Sequence, residues 1–599
     1  MEITVKRLSK SKTAPDLFGT CTPSPSPSTG LVRIRSQSCQ GLPVLKNKFL
    51  PLALLALGQT VFAQQLPSAG SQIQQIPPTP IPQKTAPVIR LEPSSAPATE
   101  ASDAVKITVN RLQVTGSRVY PESELLSLTG FTPGSELSLG ELRAMALKIT
   151  ERYRNAGYFV AQAYLPAQEI KDGVVTIAVI EGQYGQVAVR NQSTLSDGLI
   201  QSQLAGLNSG DTVAIAPLES RLLLLSDIPG VKVTSTLAPG ASVGSSDLIV
   251  DVVPGQRVTG SIDADNGGNR YTGEYRLGAT VNLNNAAGHG DVASLRLLTS
   301  GSGLNYARAS YQMQFGKATV GVAYSWLDYE LGEEFTYAQA TGTAKIASVY
   351  GSYPLIRSRN TNLYAGLAFD AKTFQDNRPL SLDAPVEDKK SQVLTASLRG
   401  DHRDGLGRGG LTGYSLNWST GNIDIETPAI RAFDATTARS NGHFNKLGFS
   451  AMRLQSVTDT VSLYAGINGQ IASKNLDTSE KMELGGMYGV RAYPEGEAYA
   501  DQGYVLTLEA RMRLPTPQQF PGQMQLVGFV DAGSVTINKN PWSTGDNRRT
   551  LSGAGVGLTW SDTNNFLVRA YYARKLGNDL ATSAPDKSGR FWIQAVKYF

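Results

Sequence analysis

Thiols are nearly missing from this chain. Of its 599 residues only Cys21 and Cys39 are cysteines, and both precede Gln64, inside a stretch that reads as a removable leader. The mature chain would then hold no cysteine, which excludes disulfides and suits an oxidising compartment. Histidine is scarce too: His289, His402 and His443 lie far apart, without metal-ligand spacing, and read as loop or rim residues. No apolar run is long enough to cross a bilayer as a helix. A surplus of either charge is also lacking. The formal net charge is +5, but residues 1–63 hold eight of the 55 Lys and Arg and two of the 50 Asp and Glu. The 47 basic and 48 acidic residues that remain nearly cancel, which argues against nucleic acid as a partner. Neither a nucleophile elbow nor a P-loop occurs. Gly405, Gly407 and Gly410 spell G-x-G-x-x-G, but between two extended segments and with no helix to receive a pyrophosphate. They read as a turn. No catalytic residue, metal ligand or cofactor is assigned.

What is present is alternation. From Gln256 to Phe599 short segments switch between apolar and polar at every residue and are broken by turns rich in Gly, Asn and Asp. From Leu551, the residues Ala554, Val556, Leu558 and Trp560 would face lipid, and Gly553, Gly555, Gly557 and Thr559 a lumen. The same parity separates Val320, Val322, Tyr324 and Trp326 from Gly321, Ala323 and Ser325, and Phe566, Val568, Ala570 and Tyr572 from their neighbours. About sixteen such segments fit, each needing ~9–11 residues for a tilted strand. The reading is a closed transmembrane β-barrel of about 16 antiparallel strands in an outer membrane, since a barrel leaves no backbone polar group unpaired in lipid. A soluble all-β protein is the alternative. The chain end argues against it: Phe591, Ile593, Ala595 and Phe599 share one parity and finish on an aromatic, as the final strands of bacterial outer-membrane proteins do. Phe599 is read as a membrane-assembly signal, and Lys597, which interrupts the stripe, as snorkelling to headgroups.

Ahead of the barrel, Lys46 and Lys48 precede the apolar run Phe49–Leu57, and Val61-Phe62-Ala63 offers small residues to a signal peptidase. Residues 1–63 therefore read as a long leader cleaved before Gln64. Residues 64–105, with Pro77, Pro78, Pro80 and Pro82, read as an extended, mobile linker. Two small α+β modules follow, over 106–182 and 183–255. In the first, a strand at Ile107–Val114 and a short helix at Pro121–Leu128 precede a capping box at Ser138 to Glu141. That box opens a helix carrying Leu142, Met145, Ile149 and Tyr153, which Gly157 ends, before strands at Phe159–Tyr164 and Val174–Ile180. In the second, helices are expected at Leu199–Leu204 and Pro217–Leu225, and a last strand at Leu248–Val253.

These modules carry the residues of a known family. Tyr153, Gly157-Tyr158, Leu165-Pro166, Gln168-Glu169-Ile170, Asp172-Gly173 and Glu181-Gly182 look like a first POTRA domain; Asp227-Ile228-Pro229-Gly230-Val231, Leu237-Ala238-Pro239-Gly240 and Ser246-Asp247-Leu248 look like a second. Asp265-Asn266, Thr272-Gly273, Arg276 and Gly288-His289-Gly290-Asp291 resemble the motif that opens the barrel. Everything after the linker resembles the two-partner secretion transporters of the FhaC, ShlB and HecB kind, in the superfamily that includes BamA. The resemblance implies two POTRA domains before a barrel, and a pore that takes an unfolded secreted partner, an adhesin or haemolysin, to the cell surface. Its implied companions are outer-membrane lipid and, during biogenesis, periplasmic chaperones and the barrel-assembly machinery. The rivals are an assembly factor of the BamA kind, which would carry more modules, and a diffusion porin, which has no use for two.

Two further motifs carry the site. Val490-Arg491-Ala492-Tyr493 resembles the tip of the loop, here about 473–500, that folds into the lumen in this superfamily; Gly528-Phe529-Val530-Asp531-Ala532-Gly533 resembles the strand whose acid meets the loop arginine. The family has glycine where Ala492 stands, and alanine is costly there if the backbone is left-handed. Parity alone puts Gln525, Phe529 and Asp531 in the lumen, with Thr507, Glu509, Arg511 and Arg513 of the preceding strand beside them. Arg491 is expected to bind Asp531 through a two-pronged contact; the competing possibility is an Asp531–Arg511 pair with the loop left loose. Cargo docking by strand addition is expected at a module edge, Phe159–Tyr164 or Val174–Ile180. The helix that often plugs the family's barrels has no uninterrupted amphipathic run here, so it is absent, or short and atypical. N-terminal sequencing of protein taken from outer membranes should begin at Gln64; a start elsewhere by more than a few residues would refute the cleavage assignment.

Overall fold

A computed structural model of the chain describes residues 66–80, 88–91, 105–381, 384–517 and 519–599. The leader and its cleavage site lie outside them. Sixteen antiparallel strands, from Val258–Asp265 to Gly589–Tyr598, each pair with their sequence neighbours, and the first closes on the last along Ser261–Asp265 and Gln594–Tyr598. Closure leaves no open edge to lipid, which is the condition for strands to cross a bilayer. The period-2 pattern fixes what faces where. Val322, Tyr324, Val556, Leu558, Phe591 and Ile593 are exposed on the outer face, whereas Ala323, Ser325, Gly553, Trp592, Gln594 and Val596 are buried inside. Gly405 to Gly409 form the turn between Val386–Asp404 and Gly410–Ile425, as their composition implied. Lys597 is exposed on the outer stripe and donates from Nζ to Asn565 Oδ1 in the neighbouring turn, so its charge sits at the rim.

The two modules precede the barrel. In the first, Ser138 caps the helix Leu139–Asn155: its hydroxyl accepts from Glu141 N (3.2 Å), and Ser138 N donates to the Glu141 carboxylate (2.7 Å). This is the capping box that the sequence announces, and it satisfies two of the helix's orphan donors. Leu142, Ile149 and Tyr153 from that helix pack on Leu112, Val114, Val175 and Ile177 of the sheet. The expected strand Ile107–Val114 is split at Asn110 into Lys106–Val109 and Arg111–Thr115, which join different sheets. Only Gln162–Tyr164 of the expected strand 159–164 pairs, because Gly157 at φ 92° reverses the chain and Tyr158 N and Ala161 N bond back in a second turn. Val174–Ile180 is corrected as a docking edge: it is the central strand, paired on one side with Arg111–Thr115 and on the other with Gln162–Tyr164.

The second module packs helices Asp197–Leu204 and Ile215–Ser226 on Gln183–Asn191, Val231–Pro239 and Ser245–Pro254. It rests on the barrel's near end. Arg357 clasps Asp227 through two nitrogens (2.7 and 3.0 Å), and Gln203 donates to the Gly316 carbonyl. Gly230 abuts Asn284 and Asn285 so closely that a Cβ would fall 2.9 Å from Asn285 Cβ.

The linker reading is overturned at two places. Ala69–Gln74 is a short helix within the barrel, and Val88–Leu91 is a strand of the second module's sheet, parallel to Val231–Pro239. Composition misled because proline excludes long helices yet permits single turns and short edge strands.

Glu181, 5% exposed, is the polar centre of the first module: its Oε1 accepts from Arg118 N (2.6 Å), Val119 N (2.7 Å) and Tyr153 Oη (2.7 Å). Burial, and then the Glu181 carboxylate, push the Tyr153 phenol well above its ordinary pKa, which keeps it a donor. Glu181→Ala would strand these donors and should destabilise the module by about 2–4 kcal/mol, seen as faster amide exchange over 106–182 while barrel strands keep their protection.

Candidate functional site: a clasp in the barrel lumen

Residues 473–501 connect the strands Val461–Ala472 and Gln502–Leu514 and fold into the barrel, where Leu484, Val490, Ala492 and Tyr493 are fully buried. Two facing strands supply the acids. In the register of Gln502–Leu514 against Gln523–Thr536, Thr507 lies opposite Asp531 and Glu509 opposite Phe529, all turned inward by the parity of a barrel strand. The loop arginine meets them. Arg491 Nε and Nη2 donate to the two oxygens of Asp531 (2.8 Å each), its backbone N–H donates to the same carboxylate (3.2 Å), and Nη1 pairs with Glu509 (2.9 Å). Thr507 Oγ1 donates to Asp531 (3.0 Å), and Trp592 Nε1 donates to the Arg491 carbonyl (2.7 Å). The guanidinium lies 3.5 Å from the centre of the Phe529 ring and 5.1 Å from that of Tyr571. A planar cation with five donors is thus met by two carboxylates at its N–H groups and by the rings of Phe529 and Tyr571, a set that lysine could not reproduce.

The alternative pairing is excluded by geometry. Arg511 bonds Glu509 (2.7 Å) on its own strand, not Asp531. Ala492 is not among the positive-φ residues, so alanine costs nothing in backbone terms; its Cβ fits because the facing residue, Gly553, has none. A Cβ on Gly553 would sit 2.4 Å from it, and one on Gly555 would be 2.4 Å from the Phe529 ring. Val490 N donates to Leu484 O (2.9 Å), and Tyr493 Oη donates to Asp579 O (3.1 Å) in an outer loop. Gly533 leaves room for Leu484 Cδ1, which a Cβ would approach to 2.4 Å. Gly528 has open space around it and touches none of this. Phe599 lies elsewhere: at the seam, it exchanges backbone hydrogen bonds with Gly260 (2.9 and 3.1 Å).

Sequence reasoning placed Glu509 and Thr507 in the lumen without giving them this partner, and it missed Trp592, Tyr571 and Gly553 as contacts. Their inward parity was the available signal. Of the two alternatives left open for a plug, the second holds: a short helix is present, at a place the sequence did not single out. The helix Ala69–Gln74 is anchored at its start by Asp376, which accepts from Ala69 N (2.8 Å) and from Tyr329 Oη (2.7 Å). Ser68 bonds Thr478 (3.0 Å) and Gln74 donates to Thr478 O (2.9 Å), so helix and loop touch. Thr272 donates to Gln72 Oε1 (2.7 Å), and Arg276, held by Asp265 (2.8 Å), donates to Gln75 O (2.8 Å). Four barrel residues quoted for the family resemblance, Asp265, Thr272, Arg276 and Asp531, thus hold material inside the barrel. The rest of the loop is fixed by ion pairs from the wall: Lys372 and Lys446 to Glu480 (2.6 and 2.8 Å), Lys389 to Asp477 (3.0 Å) and Arg549 to Glu497.

A sixteen-stranded barrel with a loop and a helix clasped in its lumen and two α+β modules before it defines an outer-membrane transporter with periplasmic POTRA domains. The chain belongs to the haemolysin secretion/activation protein family ShlB/FhaC/HecB, which it matches over residues 244–560, with a POTRA domain of the ShlB type over 107–182. It is 32% identical over 474 residues to the heme/hemopexin transporter protein HuxB of Haemophilus influenzae strain 86-028NP, a match covering 78% of this chain and 82% of HuxB. Among solved structures it is similar to CdiB from Escherichia coli (TM-score 0.64, 20% identity, 85% of this chain and 93% of that one). It is also similar to BamA from Haemophilus ducreyi lacking POTRA domains 1–3 (TM-score 0.50, 15% identity, 82% and 100%).

Removing one partner of a buried ion pair costs about 3–5 kcal/mol. Arg491→Ala should therefore unseat the loop, raising single-channel conductance and exposing residues 485–495 to protease in detergent. Gly553→Val, which changes no charge, should do the same by striking Ala492. Unchanged conductance and protection in both variants would show that the clasp does not hold the loop.

Proposed function

We propose that this transporter exports one unfolded partner protein by docking it on the periplasmic modules and passing it through the lumen after the clasp opens. The single observation that carries this reading is how the lumen is filled. The loop is held by ion pairs and hydrogen bonds to the wall and by packing of Leu484, Val490 and Tyr493 on Val505, Val527 and Leu551; the helix is held by hydrogen bonds with Asp376, Thr272, Arg276 and Thr478 and by packing of Ala69 among Tyr271, Leu298, Leu327 and Phe374. The polar contacts can be exchanged for water or for polar backbone, so only the apolar part of each contact has to be exposed on opening. Arg491 with Asp531 is then a lock whose value is positional. Transport draws on folding of the cargo outside the cell, periplasmic chaperones keep that cargo extended, and the barrel-assembly machinery inserts the pore, with Phe599 as part of its signal.

The module count favours export over assembly of other barrels, since machines of the BamA kind carry more than two. A diffusion porin leaves both modules without a purpose. Because the relative at 32% identity is a heme/hemopexin transporter, a large secreted protein of a heme/hemopexin system is the first cargo to test. Deleting residues 106–255 should abolish appearance of the cargo in the medium while leaving an inserted, heat-modifiable barrel. A secreted proteome unaffected by that deletion would sink the proposal.

A further inference from the structure

The second module's sheet has the order Val88–Leu91, Val231–Pro239, Ser245–Pro254, Gln183–Asn191. On its inner side Val231–Pro239 pairs along all nine residues, from Val231 opposite Pro254 to Pro239 opposite Ser246. Its outer side is covered only in part. The segment Val88–Leu91 pairs in parallel with Thr234 to Leu237, from Val88 opposite Thr234 to Leu91 opposite Leu237. The ladder positions at Val231–Val233 and at Ala238 have no strand beside them on that side among the described residues.

We propose that this outer edge is a docking edge for an extended segment of the exported polypeptide, and that Val88–Leu91 is a resident strand that the cargo displaces. The inference rests on the secretion reading and names where the cargo first binds. Two features make the resident exchangeable. It is four residues long, and Pro87 and Pro93 bracket it in the sequence. Proline has no N–H to donate, so this strand cannot lengthen to use the rest of the edge. An incoming segment without prolines could pair along Val231–Ala238 and so gains ladder hydrogen bonds that the resident cannot make. The resident's advantage is its tether, worth an effective concentration on the order of millimolar for a flexible linker; a longer ladder has to overcome that.

The edge also states what it prefers. Val231, Val233, Ser235 and Leu237 are buried toward the helices, while Lys232 and Thr234 are exposed. A strand laid along it would therefore carry apolar residues opposite Ser235 and Leu237, as Ile89 and Leu91 do, and admit polar ones opposite Thr234 and Thr236, where the resident has Val88 and Arg90. Arg90 is exposed. Competing edges are shorter or interrupted. Gln162–Tyr164 in the first module offers three residues and Arg111–Thr115 five, one of which, Val114, already donates its N–H to Glu122 (2.9 Å); Gln183–Asn191 has a register irregularity between Tyr184 and Val187, a feature that discourages strand addition.

The mature chain lacks cysteine, so the double variant Arg90→Cys/Thr236→Cys can form only this one cross-link within a molecule, between residues in register. Oxidised, with the bond verified by gel mobility, it should export at least tenfold less cargo than wild type, and reductant should restore export. As a binding measurement, a fluorescent peptide of residues 86–93 should bind the purified full chain whose residues 88–91 are replaced by Gly-Ser-Gly-Ser at least tenfold more tightly than wild type, in which the edge is filled. Wild-type export by the oxidised variant, in cells where Arg491→Ala changes export, would overturn the docking edge and leave the secretion reading standing. Equal peptide binding to both proteins would overturn the resident strand. If the wild-type chain exports nothing, the secretion reading itself fails, and this inference with it.

Discussion

Everything in this protein hangs on the pairing of backbone amides in a closed ladder. A strand that crosses lipid must give each N–H and C=O a partner on its neighbours, and the only way to do that for sixteen strands is to bring the first back to the last, here along Ser261–Asp265 and Gln594–Tyr598. Closure has a second effect. It creates an interior shielded on all sides, where carboxylates and guanidinium groups can be set against each other at fixed register positions.

That interior explains how one arginine pins the tip of a loop of nearly thirty residues whose remainder is tied to the wall by Lys372, Lys446, Lys389 and Arg549. Arg491 is met by Asp531 and Glu509 because the strands that carry them are locked in register, and by Phe529 because it shares the parity of Asp531. The glycines opposite are the other half of the same device. Gly553 and Gly555 leave hollows in the wall that receive Ala492 and the Phe529 ring. A wall of ordinary side chains would hold the loop off and lengthen every ionic contact. The clasp therefore depends on shape as much as on charge.

Helix, loop and modules also form one connected path. The helix Ala69–Gln74 touches the loop through Ser68 and Gln74; the same linker, fourteen residues further on, lies on the second module; and that module is joined to the barrel by Arg357 and Asp227. An extended polypeptide that replaced Val88–Leu91 would act on a segment whose other end sits in the lumen. In the proposed docking, chain connectivity would link docking to opening.

The sequence alone determined the barrel, its approximate strand number, the inward direction of Asp531, Thr507 and Glu509, and the capping box at Ser138, because each follows from a pattern a few residues long: period 2 for strands, or a cap and its third residue for helices. It also pointed to Arg491 and Asp531, through motif resemblance joined to parity. Only the tertiary structure decided that Glu509 shares the arginine, that Arg511 does not compete, that Val174–Ile180 is central and not an edge, and that a proline-rich stretch yields both a lumenal helix and a sheet strand. Those outcomes join residues far apart in the chain, such as Ala69 with Asp376 and Trp592 with Arg491. Which distant partners meet is set by closure of the barrel and by the path of a loop, and neither leaves a local period for a sequence to display.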